Sequence, residues 1–586
     1  MFLYSFTHFL LKSVERCFQS KKQKGCLSLK QYTAKHIRNV ALVGHAGSGK
    51  TSLTEAIAFT AGLTDRLGKI ADGNTISDFD PEEVKRQASV SMSVVPVEWK
   101  DTKINLLDTP GSFDFSGGMS EGIRAAGSAV VVISGKSGIT VGAKKALSAA
   151  RKKGIAQLLF VNKMDSEHAD FYKVFEDMKS TFGPTVCPLV VPYVENHKVV
   201  CYVNILEYKA YTYENGKAVE CHLPEMGHRL DGLRTAIYEA VAETSEELME
   251  KYFSGVDFTP DELIMGLATG VRRGEILPVY CGSTQQLEGI DQLLNGLIWL
   301  APWAETVAGE TGLDPNGEAV QLTVNEQAQP VAIVFKTVVD PFVGKLLYFK
   351  VVSGKITPDS TLMNMRTGTT EKLGKLFMVR GKRQEEVPCV VAGDIGAVAK
   401  LAVTNTGDTL CAPVRPIILP GVNFEAPSLS MAVYAKNKGD EEKIVAGLNR
   451  LKEEDPTIAL EHNVETREQI LSGLGEQHLD VTVSKLKSKF GVDVVLKDPK
   501  VPYRETIRGK VKVQGRHKKQ SGGHGQFGDV WIEFEPCESE ELVFEETVFG
   551  GSVPKNYFPA VEKGLRDSAQ NGVLAGFPLV GVKATL

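Results

Sequence analysis

The chain has 586 residues, 42% hydrophobic and 24% charged, with a formal net charge of −5; at roughly 100–200 residues per domain this is about three to five domains whose cores need no disulfide or metal staple. The mild acidity argues against a protein that coats nucleic acid by overall charge and leaves room for a local basic patch. Nine scattered cysteines without a Cys-x-x-Cys pair speak against a disulfide framework or a zinc site and fit a reducing cytoplasm, and no stretch approaches the ~20 apolar residues of a membrane helix.

Residues 1–36 read as a basic, disordered extension. An apolar run, Phe2 to Leu11, is followed by Lys12, Arg16, Lys21, Lys22, Lys24 and Lys30, with Glu15 as the one acid in that stretch. A secretory signal puts its charges before the apolar run, so the segment reads as a tail or an upstream start rather than an address. Order begins near Ile37. Val40 to Val43 is a short apolar run ending in glycine, the pattern of a buried strand. A second strand ends at Leu106-Leu107, Ala129 to Ile133 is a third, and Leu158 to Val161 a fourth. Helical stretches between the later ones predict a parallel, helix-covered sheet in a first domain over 37–308. Mixed α and β signals at about 185–275 read as an insert in that domain.

A Gly- and Glu-containing linker, Gly309 to Glu326, comes next. Short β-branched and aromatic runs then follow between glycine turns: Val331 to Phe335, Leu346 to Val352, Thr361 to Met365 and Ala397 to Ala402. They predict an antiparallel β-barrel over 325–415. Pro413, Pro416 and Pro420 mark the next boundary. Over 424–499, Ile444, Leu448 and Leu451, then Leu479, Val483, Leu486 and Phe490, repeat at helical spacing between strand signals, the pattern of a ferredoxin-like α+β domain. Residues 500–586 are again mixed α+β and stop within a strand-like run, Leu579 to Leu586.

The strongest local motif is Gly44-His45-Ala46-Gly47-Ser48-Gly49-Lys50-Thr51-Ser52. It follows a strand and opens a helix, as a phosphate-binding loop (P-loop) requires. Backbone N–H groups wrap the phosphates, Lys50 reaches the β- and γ-phosphates, and the Thr51 hydroxyl is placed for Mg²⁺. Asp108-Thr109-Pro110-Gly111 ends a strand; Asp108 suits Mg²⁺ through water, and Gly111 brings its N–H close to the γ-phosphate where a side chain would block it. Asn162-Lys163-Met164-Asp165 closes the fourth strand. A carboxylate there accepts two hydrogen bonds from guanine, and adenine offers no such pair, so Asn162 and Asp165 speak for GTP over ATP. Gly282 and Ser283 are expected to support the guanine carbonyl through a backbone N–H. Together the three motifs specify a GTPase.

These motifs, with Asp80-Pro81-Glu82-Glu83 and Arg86 between the first two, resemble the GTPase domain of the elongation factor G family. Asp340-Pro341-Phe342-Val343-Gly344-Lys345 and Thr406-Gly407-Asp408-Thr409-Leu410 resemble its barrel domain. Glu453-Glu454-Asp455-Pro456-Thr457 and Ser472-Gly473-Leu474-Gly475-Glu476-Gln477-His478-Leu479 resemble its third domain, and Pro502-Tyr503-Arg504-Glu505-Thr506 its fourth. The resemblance implies a multidomain α/β protein that binds GTP/GDP with Mg²⁺ and hydrolyses GTP. It implies a ribosomal partner (rRNA and ribosomal proteins) and a tRNA–mRNA complex to move, for a cytoplasmic monomer without membrane contact. The alternative is a ribosome-associated regulatory GTPase that does not translocate.

The chain departs from the family's pattern at named positions. Ser112 stands where the family carries the histidine that orients the attacking water. Arg86-Gln87-Ala88-Ser89 replaces Arg-Gly-Ile-Thr, with Ser89 keeping a hydroxyl for Mg²⁺, and Gly47 replaces an aspartate. GTP hydrolysis is therefore expected to be slower than in the main factor. Arg516-His517-Lys518-Lys519, ahead of a glycine-rich loop with Phe527, carries the cations that bind RNA phosphates. The family completes its fourth domain and adds a fifth beyond this point, so the chain as given is expected not to complete translocation. His478 and Cys281 are expected to be structural.

Overall fold

The computed structural model describes residues 30–307, 309–340 and 344–586. Most of the expected tail, residues 1–29, and Pro341 to Val343 of one motif lie outside the described residues. The chain divides into two compact units. The first holds residues up to 429 with 435–460 and 471–494, and the second holds 430–434, 461–470 and 495–586.

The first unit opens with β1 (Ile37–Val43), α1 (Lys50–Thr60), α2 (Pro81–Arg86), β2 (Ser93–Trp99), β3 (Thr102–Asp108), α3 (Ser116–Ala125), β4 (Ser128–Ser134), α4 (Val141–Lys153), β5 (Ala156–Asn162), α5 (Phe171–Phe182) and β6 (Val186–Pro188). It continues through β7 (Val190–Glu195), β8 (Lys198–Asn204), β9 (Lys209–Glu214), β10 (Lys217–Cys221), α6 (His228–Ala242), α7 (Glu246–Phe253), α8 (Pro260–Arg273), β11 (Leu277–Cys281) and α9 (Ile290–Leu300). Seven strands form one sheet in the order β2-β3-β1-β4-β5-β11-β6. All neighbours pair parallel except β2 with β3. Every residue of β1, β3, β4 and β5 is buried, as a sheet covered on both faces requires.

The antiparallel edge strand β2 corrects the sequence reading, which passed from β1 straight to β3. Pro96 sits inside β2, and proline speaks against a strand because it donates no ladder hydrogen bond. At the edge of the sheet that cost disappears: Pro96 pairs with Asn105, and among the described residues no strand of the sheet lies beyond it. Lys100 and Asp101, at φ 43° and 58°, make the two-residue turn into β3. The insert carries its own four-stranded antiparallel sheet, ordered β10-β9-β8-β7. Its leading strand β6 joins the main sheet beside β11, and α8 packs on β5. Loops leaving the C-terminal ends of β1, β3, β5 and β11 gather along one edge, where open α/β sheets bind ligands.

The expected linker is ordered. β12 (Thr311–Leu313) pairs with β13 (Ala319–Gln321), and Leu322 is buried beside Ile417 and Leu419. The barrel domain follows as β14 (Val331–Asp340), β15 (Gly344–Ser353), β16 (Lys355–Ile356), β17 (Thr361–Asn364), β18 (Thr370–Lys372), β19 (Leu376–Arg380), β20 (Arg383–Val387), β21 (Val390–Val391), β22 (Ile395–Ala399) and β23 (Thr409–Cys411). Eight of these form one sheet, β18-β17-β23-β14-β15-β22-β19-β20, with Leu347, Phe349 and Val351 alternating into its core.

β24 (Leu429–Ala435), α10 (Glu441–Glu454), β25 (Ala459–Asn463), β26 (Glu468–Gly473), α11 (Glu476–Phe490) and β27 (Val494–Lys497) carry the expected α+β alternation, with the strands ordered β25-β26-β24-β27. Ile444, Leu448, Leu451, Leu479 and Leu486 are buried, the faces their spacing predicted. In the second unit, β28 (Val511–Ser521), β29 (His524–Pro536), β30 (Val543–Glu545), α12 (Phe558–Ala569) and β31 (Val582–Thr585) form a sheet ordered β28-β29-β31-β30. Ile532, Ala584 and Leu586 pack with Val561 and Leu565 of α12. The glycine-rich loop expected after Lys519 is a paired ribbon: Arg516 faces Asp529, Lys518 faces Phe527, and only Gly522 and Gly523 turn.

Candidate nucleotide site

β1 delivers Gly44 against β4, where a Cβ would lie 2.6 Å from the Val132 carbonyl oxygen. The loop then climbs to Gly49, whose φ of 97° opens α1. Lys50 is buried, and its Nζ donates to the carbonyls of Gly44 (3.1 Å) and His45 (3.0 Å). Burial pushes this ammonium down to about 8, with Asp108 and Asp78 pulling the other way. Gly111 crosses the loop so closely that a Cβ would lie 2.3 Å from Lys50 Nζ and 2.7 Å from the Ala46 amide.

Thr51 Oγ1 and Ser89 Oγ lie 3.0 Å apart. The connection between them is built by α2. Asp80 caps α2 in a reciprocal box with Glu83, and Glu83 Oε1 also accepts the amides of Val90 and Ser91 at 3.1 Å. That fold-back turns Ser89 toward Thr51. Asp108 is fully buried, and neither of its carboxylate oxygens has a hydrogen-bond partner. Burial raises its pKa. Asp78, which the sequence reading did not single out, lies beside it. Its Oδ2 is also buried without a partner, and burial followed by the Asp108 and Glu83 charges pushes its pKa well up. Two carboxylates with orphaned oxygens beside two hydroxyls, with the Lys50 ammonium as the nearby positive charge, are hard oxygen donors, which fits a divalent cation of the Mg²⁺ type. Nothing in the spacing marks Asp78; only the fold places it against Asp108.

Asn162 ties the base-side loop to the P-loop. Its Nδ2 donates to Ser48 O (3.1 Å), and its Oδ1 accepts from the amides of Lys163 (2.8 Å) and Thr284 (3.2 Å). Lys163 sits at φ 64° and reaches Gly47 O at 2.7 Å. A side chain on Gly49 would strike Asn162 Nδ2 at 2.3 Å. Ser283 Oγ donates to Asp165 Oδ1 at 2.7 Å, leaving the carboxylate exposed and oriented. One expectation changes here. The amides of Gly282 and Ser283 are engaged by Val161 O and Glu288 O, because this turn closes back onto β5 and α9. Neither amide is free to donate to a guanine carbonyl, and Ser283 instead holds Asp165 through its hydroxyl.

Ser112 precedes a short turn, Phe113–Phe115, and is half-buried. His45 Nδ1 is buried without a partner, and its ring stands 6.1 Å from that of Phe113. Ser52 follows Thr51 in the first turn of α1. Both segments flanking the site rest on α11. Val90, Phe115 and Val481 form one apolar cluster, the Gln477 amide donates to Asp114 Oδ2 at 3.0 Å, and Ser484 Oγ donates to Glu82 at 2.5 Å. His478 is structural, as expected: its Nε2 lies 2.9 Å from Asp455 Oδ2, and its Nδ1 accepts the Leu474 amide. Cys281 is buried and its thiol is pushed well up by burial, which makes it inert.

Residues 35–302 match the family described as Elongation factor Tu GTP binding domain, 329–413 Elongation factor G domain 2, 424–498 Elongation Factor G domain III, and 499–586 Elongation factor G, domain IV. A crystal structure of a protein from Thermus thermophilus superposes with a TM-score of 0.84 at 36% identity, over 94% of this chain and 80% of that one. Among the described residues no helix is long and apolar enough to cross a membrane. With a P-loop, a strand-end aspartate and an Asn-Lys-x-Asp loop at one sheet edge, and four domain matches in order behind them, the chain belongs to the elongation factor G family of translation-factor GTPases.

Proposed function

We propose that this chain binds GTP with Mg²⁺, hydrolyses it on the ribosome, and acts in the movement of tRNA and mRNA as a cytoplasmic monomer. The observation that carries the reading is the meeting of Thr51 and Ser89 at 3.0 Å beside the unpartnered Asp108 carboxylate, next to the buried Lys50. In this reading residues 44–52 cradle the phosphates, Lys50 neutralises charge on the β- and γ-oxygens, and Gly111 presents its N–H to the γ-phosphate. Thr51, Ser89 and Asp108 hold the metal directly or through water, with Asp78 beside them. Mg²⁺ would neutralise the phosphate oxygens as charge develops. Asn162, Lys163 and Asp165, with Ser283 behind them, select guanine.

Ser112 has a hydroxyl where the family places an imidazole. It is shorter and offers one donor, so water is oriented less firmly and hydrolysis is slower. Loss of the γ-phosphate would free Gly111 and Ser89, and both segments lead directly to α11, so the nucleotide state is passed to the third domain. A second reading, a ribosome-bound regulatory switch that moves no tRNA, is favoured by Ser112 alone. GTP turnover with and without ribosomes tests both. Strong stimulation is expected; tight GTP binding without any stimulation would sink the first reading in favour of the second.

A further inference from the structure

We propose that the cleft between the connector leaving α1 and the β19–β20 hairpin is a second anion site, built to take a phosphate group. It encloses about 560 Å³. Thr64, Arg66 and Phe79 line it from the connector, and Arg380, Lys382 and Arg383 line it from the hairpin turn. The turn is fixed in place. Gly381, at φ 53°, donates its amide to Val94 O at 3.1 Å, and a Cβ there would lie 2.2 Å from the Ile76 carbonyl oxygen. Only glycine allows this approach, so the cations are presented on a built edge rather than on a free loop.

The charge in the cleft is unbalanced. Four cations face two carboxylates, Glu55 and Asp65. Glu55 is already committed: it accepts the Ile76 amide at 2.6 Å. Among the described residues, Arg66, Lys382 and Arg383 form no ion pair. Arg380 meets Glu385 at 3.5 Å, yet its Nε is buried without a partner, as is the Thr64 hydroxyl. Phosphate oxygens match the unpaired guanidinium and ammonium groups of Arg66, Lys382 and Arg383 that line the cleft. Phe79, 38% exposed, adds a flat wall for a sugar or base.

The site is wired to the nucleotide loop. Ile76 and Phe79 flank Asp78, which lies beside Asp108. A cleft ligand that changes nucleotide affinity through this segment would have its own affinity changed by the same factor. This linkage rests on the reading of residues 44–52 as the nucleotide loop; the cleft itself does not.

The test uses the whole chain with its nucleotide loop filled by GDP. It is titrated at low salt with inorganic pyrophosphate and, separately, with a short single-stranded oligoribonucleotide, by calorimetry. Pyrophosphate is expected to bind one further site, at least tenfold more weakly after Arg380→Ala and after the exposed double change Lys382→Glu with Arg383→Glu. Oligoribonucleotide binding that falls with the same changes identifies an RNA backbone as the source of the phosphate; pyrophosphate binding alone assigns a free phosphorylated ligand. No binding of either probe, or binding that the variants leave unchanged, overturns the site. GDP affinity is read in the same samples: its loss in the parent chain would strike the nucleotide-loop reading and not this one.

Discussion

Asp165 depends on one neighbour for its direction. Ser283 Oγ holds one oxygen at 2.7 Å, and the remaining lone pairs face solvent. If these accept the guanine ring N–H and amine, Asp165→Asn removes charge-assisted bonds of ~1.5–3 kcal/mol each. The GDP dissociation constant should then rise by roughly 100-fold or more, measured by fluorescent nucleotide displacement, while ADP binding stays negligible. At the other end of the site, Ser112→His restores a ring that can orient water. Such groups are worth ~10²–10⁴ in rate when fully placed, so single-turnover GTP hydrolysis should speed up at least about tenfold. An unchanged rate would show that Ser112 does not limit hydrolysis. The residues proposed for the metal were only partly legible. Thr51, Ser89 and Asp108 follow from motifs, but Asp78 comes from a stretch without regular spacing, held by bonds such as Ser93 Oγ to Ser77 O and the Ile76 amide to Glu55.

The segment joining the first domain to the barrel reads as a polar linker, yet it carries a buried ion cluster. Arg124 at the end of α3 grips Glu310 bidentately, at 2.9 and 2.7 Å, and Lys350 of β15 approaches within 3.8 Å. Burial works against charge on Glu310, but Lys350 and Arg124 overcome it and hold the carboxyl at about 2. Lys350 shares that single carboxylate with Arg124, so burial prevails on it and pushes it down to about 8. The sign for Glu310 follows from its depressed value. Its contribution to stability is complete above the ordinary glutamate pKa near ~4.3 and is lost as pH falls toward about 2. Glu310→Gln leaves buried cations unpaired and should cost ~3–5 kcal/mol at neutral pH. Denaturant melts at pH 7 and pH 3 check this: the gap between parent and variant should narrow at the lower pH.

At the scale of the whole chain, the nucleotide site and α11 are one mechanical element within the first unit. Asp114 and Glu82, one from each flanking segment, both bond to α11, and Val90, Phe115 and Val481 fill the space between. If nucleotide state sets the position of these segments, hydrogen exchange at the Gln477 amide should be slower with a non-hydrolysable GTP analogue than with GDP. Asp114→Ala should abolish the difference. Equal exchange in both states would mean that α11 is not part of the switch.

Much of this architecture was legible because it is written in local chemistry. Phosphate loops need glycines at fixed spacing, buried parallel strands need apolar runs, and helices need apolar stripes, so residues 44–51, the strands β1, β4 and β5, and the helices α10 and α11 could be read directly. What the sequence by itself determined is therefore the GTPase family and the order of its domains. Only the tertiary structure decided where Pro96 is tolerated, that the linker is ordered through Glu310 and Leu322, that Gly282 and Ser283 turn their amides inward, and that Asp78 stands against Asp108. Each of these depends on what lies across from a residue in space, at a sheet edge, a domain junction or a closed turn, and no period along the chain encodes that.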